Sequence, residues 1–223
     1  MRTTPREVCN KLKSRFKLNS IQKDILVGTL LGDGNIRLKG KFARLHIKHS
    51  SKQLSLVEYK RKIFKNISTM EVRVFKQKVG EKDDSFAEFV TLTHSEFLKF
   101  HQIFYRGAAS SAYPNHKKII PKNIQMLLKN PRSLAMWLMD DGSAEYAGVS
   151  LQTHSFSQKE VDLLRNAIES NFEIKTGRRL NKGKWIIYFP KACLSRLKNL
   201  VGKLMLPELR YKLVPYSTRL RTP

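Results

Sequence analysis

Two aspartates stand at the ends of apolar helical runs, and they are the residues of this sequence best suited to binding a metal. Asp33 ends the run that begins at Asp24, and Asp141 ends the run that begins at Ser133. The last turn of a helix has unpaired carbonyl oxygens and the negative end of the helix dipole, so a carboxylate there is electrostatically unfavourable. Mg²⁺ prefers such oxygen ligands. If the two helices pack side by side, the pattern predicts a site for Mg²⁺ or another divalent cation such as Mn²⁺; two solvated acids that never meet are the alternative.

The net charge indicates a partner that carries many negative charges. The 223 residues include 43 Lys and Arg against 18 Asp and Glu, a formal net charge of +25. These basic residues run through segments with core patterning instead of clustering in tails, which favours nucleic acid over an acidic membrane surface. A divalent cation on a basic surface is suited to phosphodiester hydrolysis, because it activates water and stabilises the leaving oxygen. Two aspartates for two strands would explain a motif that occurs twice.

The remaining composition excludes several classes of protein. Two cysteines, Cys9 and Cys193, cannot make a disulfide framework or a cysteine-based zinc module, and they suit a reducing compartment. No apolar run approaches the ~18 residues that a membrane span requires, so we expect no membrane partner. The basic first twenty residues are equally compatible with an organellar transit peptide, a DNA-contacting arm or a solvated helix. We therefore expect an intracellular protein, in a mitochondrion or chloroplast if it is organelle-encoded.

The sequence repeats its own pattern after each Asp-Gly pair. Alternating polar and apolar residues follow each pair, at 44–48 and at 149–154, and a helical pattern begins directly after each of these strands. Each half then has two more strand-like runs and a closing helix; the runs are 70–78 and 85–93, then 173–181 and 184–190. Each unit therefore predicts the order helix, two strands, helix, two strands, helix, or αββαββα, which is an α+β fold. We interpret the repeat as an internal duplication related by a pseudo-two-fold axis.

The duplication divides the chain into five segments. We predict a basic N-terminal arm (1–19), a first repeat (20–105), a linker region (106–130), a second repeat (131–206) and a basic C-terminal tail (207–223).

Each half leaves one helix without a partner, so the two Asp-Gly helices are expected to pack against each other at the centre. Gly28 and Gly32 lie four residues apart and would let the partner backbone come close. The second helix has Met136 and Asp140 at those places, so this contact would be asymmetric.

The ends of these helices can also be predicted from the sequence. Ser20 is available as the N-cap of the first apolar helix, and Asn130 followed by Pro131 predicts the start of the second. Gly34 and Gly142 stand where a helix would end in a left-handed residue.

These features together resemble a known family. Residues 26–34 (LVGTLLGDG) and 134–142 (LAMWLMDDG) are similar to the two motifs of the single-chain LAGLIDADG homing endonucleases, in their intron-encoded monomeric branch. The resemblance extends over the chain from about Ser20, since the order of strands and helices agrees, and the second motif departs from the pattern at Met136 and Trp137. It implies a monomer with two αββαββα units, a saddle-shaped antiparallel sheet in the DNA major groove, and Mg²⁺-dependent cutting of both strands of a long site.

The resemblance also assigns roles to individual acidic and backbone groups. Asp33 and Asp141 become the metal-binding catalytic acids. Gly32 and Asp140, directly before them, would offer backbone carbonyl oxygens to the metals.

The family places a basic residue near each scissile phosphate. Lys118 and Lys212 match the two catalytic lysines of the monomeric branch, where they would polarise the water network or counter the charge of the transition state. Lys117 and Arg210 are the neighbours most easily confused with them.

One face of the predicted sheet carries polar and basic side chains. In the strand at 44–48 they alternate with Leu45 and Ile47, the period of a sheet with a core behind it and a polar ligand in front. A two-stranded ribbon fits the major groove, where Arg, Lys and Gln can pair with base edges, although phosphate contact or solvation is commoner for any single lysine. The DNA-binding residues predicted in the first half are Arg37, Lys39, Lys41, Arg44, His46, Lys48, Arg73, Lys76, Gln77 and Lys78. Those predicted in the second half are Ser150, Gln152, His154, Lys175, Arg178, Arg179, Lys182 and Lys184. The first set is more basic, so we expect a partly asymmetric, pseudo-palindromic target.

The histidines and aromatic residues invite other interpretations. His46 and His49 fall on opposite faces of a strand, so we expect a groove-facing His46 and a structural His49 in place of a zinc or histidine-nuclease site. The aromatic residues expected in the core are Phe75, Phe86, Phe89, Trp137, Trp185 and Tyr188.

Three functions compete. The first is a site-specific DNA endonuclease, the second an RNA maturase for its own group I intron, alone or in addition, and the third a DNA-binding regulator that has lost its acids. Both aspartates and both lysines are present, which favours the nuclease.

Overall fold

The computed structural model describes residues 4–107 and 117–219, and these contain two copies of one element order. Helix α1 (Pro5–Arg15) precedes the first copy, which consists of α2 (Ser20–Leu31), β1 (Asn35–Lys39), β2 (Phe42–Ser50), α3 (Leu54–Ile63), β3 (Arg73–Val79), β4 (Lys82–Val90) and α4 (Ser95–Phe104). Short elements follow, namely β5 (Tyr105–Arg106), β6 (Lys117–Lys118) and α5 (Ile124–Leu127). The second copy consists of α6 (Pro131–Asp141), β7 (Gly142–Ala144), β8 (Gly148–Leu151), α7 (Gln158–Phe172), β9 (Gly177–Asn181), β10 (Lys184–Pro190) and α8 (Leu194–Val201), and α9 (Tyr216–Arg219) comes after it. The predicted arm, linker and tail each extend into residues outside the described ranges, at 1–3, 108–116 and 220–223.

The two sheets have the same topology. The first has the strand order β1-β2-β4-β3 and the second β7-β8-β10-β9, and every neighbouring pair in them is antiparallel. A helix lies between the two hairpins of each copy. The predicted α+β fold with a duplicated αββαββα order is confirmed.

The chain forms two compact units, and most of α2 belongs to the unit of the second copy. One unit comprises Met1–Lys23 and Asp33–Ile103; the other comprises Asp24–Gly32 and Phe104–Pro223. Each has its own core on one face of its sheet. In the first, the largest fully buried side chains include Phe64, Phe89 and Phe97. In the second, Trp137 and Phe189 are completely enclosed.

Within the second unit, α2 and α6 are in close contact at the two glycines. A Cβ atom at Gly28 would overlap the backbone carbonyl oxygen of Ser133 and the Cβ of Met136, and one at Gly32 would overlap the side chain of Asp140. The predicted close and asymmetric approach is confirmed. Each copy of the motif therefore presents a different surface to the other, glycine from α2 and side chains from α6.

The helix starts follow short polar side chains. Asn130 caps α6 as predicted, since its Oδ1 accepts a hydrogen bond from the Arg132 backbone N–H (2.9 Å). The cap of α2 is Asn19, whose Oδ1 accepts from the Gln22 backbone N–H (2.8 Å), and not Ser20, which already lies in the helix. Both caps satisfy N–H groups that have no partner within the helix.

The glycines after the aspartates do not have the predicted left-handed conformation. Gly142 is extended, with φ −68° and ψ 141°. Glycine is required there for close approach, because a Cβ would meet the carbonyl oxygen of Leu138. Among the described glycines, positive φ occurs at hairpin turns and at Gly107, and Gly34 is not in that group; the hairpin glycines are Gly40, Gly80 and Gly183.

The described helices are also short or polar in relation to a bilayer. In the part of the chain that the structure describes, no helix has the length and apolar character needed to span a membrane.

Candidate catalytic and nucleic-acid-binding site

The two aspartates follow or end the apolar helices as predicted. Asp33 comes just after α2, and about half of its side chain (51%) is exposed, so its carboxylate is open to a ligand. Its Oδ2 lies 3.4 Å from Nδ1 of the buried His49. Asp141 is the last residue of α6 and is half-buried, while its backbone carbonyl accepts from Gln152 N–H (3.1 Å). Asp140, directly before it, is buried.

A lysine donates to the backbone carbonyl directly before each aspartate. Nζ of Lys118, in β6, lies 2.8 Å from the carbonyl oxygen of Gly32. Nζ of the buried Lys212, in the 3₁₀ segment Pro207–Leu213, lies 2.9 Å from that of Asp140 and 2.5 Å from that of Met139. Both contacts lie within the second unit. The structure thus gives the two predicted lysines equivalent positions relative to the two helix ends.

The groups at these helix ends fit a small, hard divalent cation. They are carboxylate and carbonyl oxygens, the ligands of Mg²⁺ and Mn²⁺. A carbonyl oxygen has two lone pairs, so Gly32 and Asp140 can each accept a hydrogen bond from lysine and still face a cation. Within 4–107 and 117–219, no group of three or more His, Cys, Asp or Glu residues could hold a metal. A cation held by few protein ligands keeps several waters, as Mg²⁺ commonly does.

His49 and Lys60 are functional candidates that the sequence analysis missed. His49 was expected to be structural, but it contacts Asp33, and its Nε2 lies 3.3 Å from Nζ of Lys60. Lys60 is completely buried. The available signal was its position in α3, because Leu56, Val57 and Phe64 share a helical stripe with it and a lysine on an apolar stripe is unusual.

The polar face of the first sheet forms a concavity of about 490 Å³. Its lining includes six of the predicted DNA-binding residues, which are Arg37, Arg44, His46, Lys48, Arg73 and Gln77. Lys76 and Lys78 alternate with Arg73 and Gln77 along β3, so they lie on the opposite face of that strand and their assignment to this face was wrong. Lys39 and Lys41 are exposed where β1 turns into β2.

His46 is on the predicted face, but it is buried against an acid. Its Nε2 is 3.0 Å from Oε2 of Glu88, while Arg73 donates to Oε1 of the same carboxylate (2.6 Å). Burial lowers the pKa of His46, although the Glu88 carboxylate opposes this, and Arg37 and Arg44 lower it further. Burial by itself would raise the pKa of Glu88, but the hydrogen bonds from His46 and Arg73 outweigh it and the pKa is lowered. A neutral His46 and an ionised Glu88 therefore hold Arg73 in place at neutral pH.

The second sheet has a similar arrangement around Glu145. Arg179 is 3.0 Å from its carboxylate and lies over the ring of Tyr188, 4.0 Å from the centroid. Ser150 was predicted to bind DNA, but it is completely buried and its hydroxyl donates to Oε1 of Glu145 (2.7 Å). It is therefore not available to a ligand. Gln152 is half-buried and donates to Ser150 (3.0 Å).

Arg178 was wrongly assigned to the polar face. It forms an ion pair with Asp162 of α7 and therefore lies on the helix-covered side of the sheet. The alternation of side chains along β9 explains the error, since Arg178 and Arg179 must point to opposite faces. The remaining predicted residues of this half are exposed; they are His154, Lys175, Lys182 and Lys184.

Four of the six aromatic residues expected in the core are only half-buried. Phe89 and Trp137 are buried as predicted. The others are half-buried with a cation over the ring; Phe75, Phe86, Trp185 and Tyr188 are contacted in this way. Lys48, for example, lies 4.1 Å from the centroid of Phe86. Arginine and lysine can stack on aromatic rings, so an aromatic residue on a strand does not by itself indicate the core side.

An enzyme that hydrolyses nucleic acid typically has three features: oxygen groups that fit a divalent cation, a basic side chain beside them, and a basic binding surface. The described residues have all three. Comparison with known proteins identifies the family of enzymes to which the chain belongs. The model of the LAGLIDADG DNA endonuclease family matches residues 23–197. The chain belongs to this family and is a DNA endonuclease of the homing type.

Individual relatives cover nearly the whole chain. A probable intron-encoded endonuclease 1 of Wickerhamomyces canadensis is 28% identical over 206 residues, covering 88% of this chain and 85% of the relative. Cytochrome b mRNA maturase bI2 of Saccharomyces cerevisiae is 27% identical over 209 residues, covering 89% of this chain but only 48% of the relative. The solved structure of the homing endonuclease I-WcaI bound to its DNA recognition sequence matches with a TM-score of 0.82 and 28% identity over 92% of each chain.

Proposed function

We propose that this protein acts as a monomer that cuts both strands of a long, partly asymmetric DNA target with Mg²⁺, using Asp33 and Asp141 as metal-binding acids. The observation that carries the proposal is the pair of lysine contacts, Lys118 with Gly32 and Lys212 with Asp140. Each contact brings an ammonium group to the carbonyl oxygen of the residue directly before Asp33 or Asp141. Each of the two helix ends therefore has a carboxylate, a carbonyl oxygen and an ammonium group. A monomer suffices because the chain already contains two αββαββα copies.

The residues at each helix end have separate tasks. Asp33 and Asp141 each offer a carboxylate to a divalent cation, together with the carbonyl oxygen of the residue before it. When bound, Mg²⁺ would activate a water and stabilise the oxygens that are attacked and released. Lys118 and Lys212 hold positive charge beside these groups, where negative charge develops on the phosphate.

The sheet faces bind and orient the duplex. Arg44, Lys48 and Gln77 line the first concavity and offer donors to base edges or phosphates. In the second sheet Arg179 is held by Glu145 and Tyr188. The two faces carry different side chains, which supports a target with unequal halves.

A selection from a randomised duplex library tests the function. With Mg²⁺, the protein is expected to make double-strand breaks in a small set of related long sequences, and a chelator should abolish the breaks. Breaks without sequence preference, or breaks that persist in the chelator, would contradict the proposal.

Replacing either lysine by methionine is expected to slow cleavage of the selected duplex. Lys118→Met and Lys212→Met should each lower the single-turnover rate by about 10²- to 10³-fold, because each removes a charge aimed at the transition state. Lys117→Met and Arg210→Met are matched controls, since these neighbours are exposed, and they should cut within about threefold of the wild type. Equal losses in the controls and the test variants would show a general effect of charge.

An intron RNA maturase is the second candidate, supported by the identity with the yeast maturase. Faster splicing of a group I intron that contains this reading frame would add that function. The catalytic aspartates distinguish the two activities, since Asp33→Asn should remove DNA cleavage and leave RNA binding intact.

A further inference from the structure

Lys60 is a completely buried cation that the proposed chemistry does not use. It lies on α3, and its Nζ is 3.3 Å from Nε2 of His49, which is itself buried. Burying an ammonium group is costly unless it is well paired, so lysines are rarely enclosed in this way. The other side of the His49 ring faces Asp33, with 3.4 Å between Nδ1 and Oδ2. A line of polar groups therefore leads from the core of the first unit to its exposed carboxylate.

The second copy shows which residues the same fold has at the positions of His49 and Lys60. In each copy, the residue two positions beyond the aspartate pairs with the following strand, and its partners are His46 and Ser150. Three residues further along, His49 of the first copy corresponds to Thr153 of the second. Thr153 donates to the backbone carbonyl of Trp185 (2.7 Å).

The same correspondence places an apolar residue opposite Lys60. Leu164 of α7 is separated from Thr153 by the same number of residues as Lys60 from His49, and it is completely buried. The second copy thus folds with a threonine and a leucine at these two positions. The histidine and lysine are not demanded by the αββαββα architecture, so their presence beside Asp33 requires another reason.

Hydrogen-bond chemistry defines what Lys60 does to His49. An ammonium group has three donors and no acceptor, so Nε2 of His49 must accept from Lys60. The ring proton is then on Nδ1, the nitrogen that lies 3.4 Å from Oδ2 of Asp33. Partners of this kind fix both the tautomer and the orientation of groups around a metal ligand.

We propose that Lys60 is a positioning residue that acts through His49 to hold the Asp33 carboxylate in its metal-binding orientation. The proposal rests on the proposed role of Asp33 as a metal-binding acid. His49 and Lys60 then support the first helix end, whereas the second copy has Thr153 and Leu164 at the corresponding positions. The two strands of a bound duplex should therefore differ in their dependence on Lys60.

Strand-resolved cleavage tests this inference. The duplex selected with the wild type is labelled differently on its two strands, and both single-turnover rates are measured with Mg²⁺. Lys60→Leu, which copies Leu164, is expected to slow one strand by about 10- to 100-fold and to change the other by less than about twofold, so that nicked duplex accumulates. Lys60→Met, which keeps the length of the side chain, should do the same.

Two further variants separate positioning from packing. Leu164→Met changes the equivalent buried residue of the second copy and should leave the ratio of the two strand rates at its wild-type value. His49→Ala should slow the same strand as Lys60→Leu, and the double variant should be no slower than His49→Ala alone, since Lys60 acts through that ring. Thermal unfolding confirms that each variant is folded under the assay conditions.

The outcomes are distinct from those that test the proposed function. An unchanged ratio of strand rates in both Lys60 variants, or additive losses in the double variant, would overturn the inference. If Asp33→Asn cuts both strands at the wild-type rate, the proposed function fails and this inference fails with it. If Asp33 proves essential and the ratio is unchanged, only the role of Lys60 is refuted.

Discussion

Replacing either motif aspartate by asparagine is expected to abolish double-strand cleavage. Asp33→Asn and Asp141→Asn each remove the anionic ligand from one helix end, where it is proposed to bind the cation that activates water. Loss of several kcal/mol of transition-state stabilisation lowers the cleavage rate by a factor of about 10³ or more. The measurement is single-turnover cleavage of the library-selected duplex with Mg²⁺.

DNA binding by the same variants should remain intact. Each substitution removes one negative charge from a protein whose net charge is +25, so affinity for DNA should be unchanged or slightly higher, with the same steep dependence on salt. Asp83→Asn is a matched control, because this aspartate is exposed near the start of β4. The Asp83→Asn protein should cut at the wild-type rate. Undiminished cutting by Asp33→Asn or Asp141→Asn would end the assignment of that residue as a metal ligand.

Replacing Gly28 by alanine is expected to have the largest effect on stability. The added Cβ would overlap the backbone carbonyl oxygen of Ser133 and the Cβ of Met136, neither of which can move without separating α2 from α6. Overpacking of this kind costs typically 1–3 kcal/mol, and we expect about 3 kcal/mol because the obstacle is backbone. For a chain of this size the midpoint of thermal unfolding should fall by roughly 6–12 °C.

A second glycine provides the control for helix propensity. Gly202 follows α8 in a right-handed helical conformation (φ −59°, ψ −38°), and a Cβ there would meet nothing within 4 Å. Gly202→Ala should be neutral or stabilising by up to about 1 kcal/mol. Gly32 is a weaker test, because its added Cβ would meet the Asp140 side chain, which has rotational freedom. A Gly28→Ala protein as stable as the wild type would show that α2 and α6 tolerate greater separation.

The polar face of the first sheet was predicted correctly where strand alternation is regular. Arg44, His46 and Lys48 follow the period of β2, and all three line the concavity. Lys76, Lys78 and Arg178 were misplaced, since counting basic residues along a strand does not assign them to a face. Phe75, Phe86 and Tyr188 were misplaced for a related reason, because Lys48, Arg73 and Arg179 of the polar faces cover rings that look suited to a core.

The sequence by itself determined the duplicated element order, the α+β class and the two aspartates at the ends of apolar helical runs. These are local properties, set by the period of apolar residues and by the residues that begin and end each element. The tertiary structure decided which distant groups meet. Lys118 reaches the carbonyl of Gly32 from 86 positions away, and Lys212 that of Asp140 from 72. The sequence showed Lys60 only as a lysine on an apolar stripe, and its partner became visible when β2 and α3 were packed together. Such contacts depend on register and packing between elements, which local periodicity does not encode.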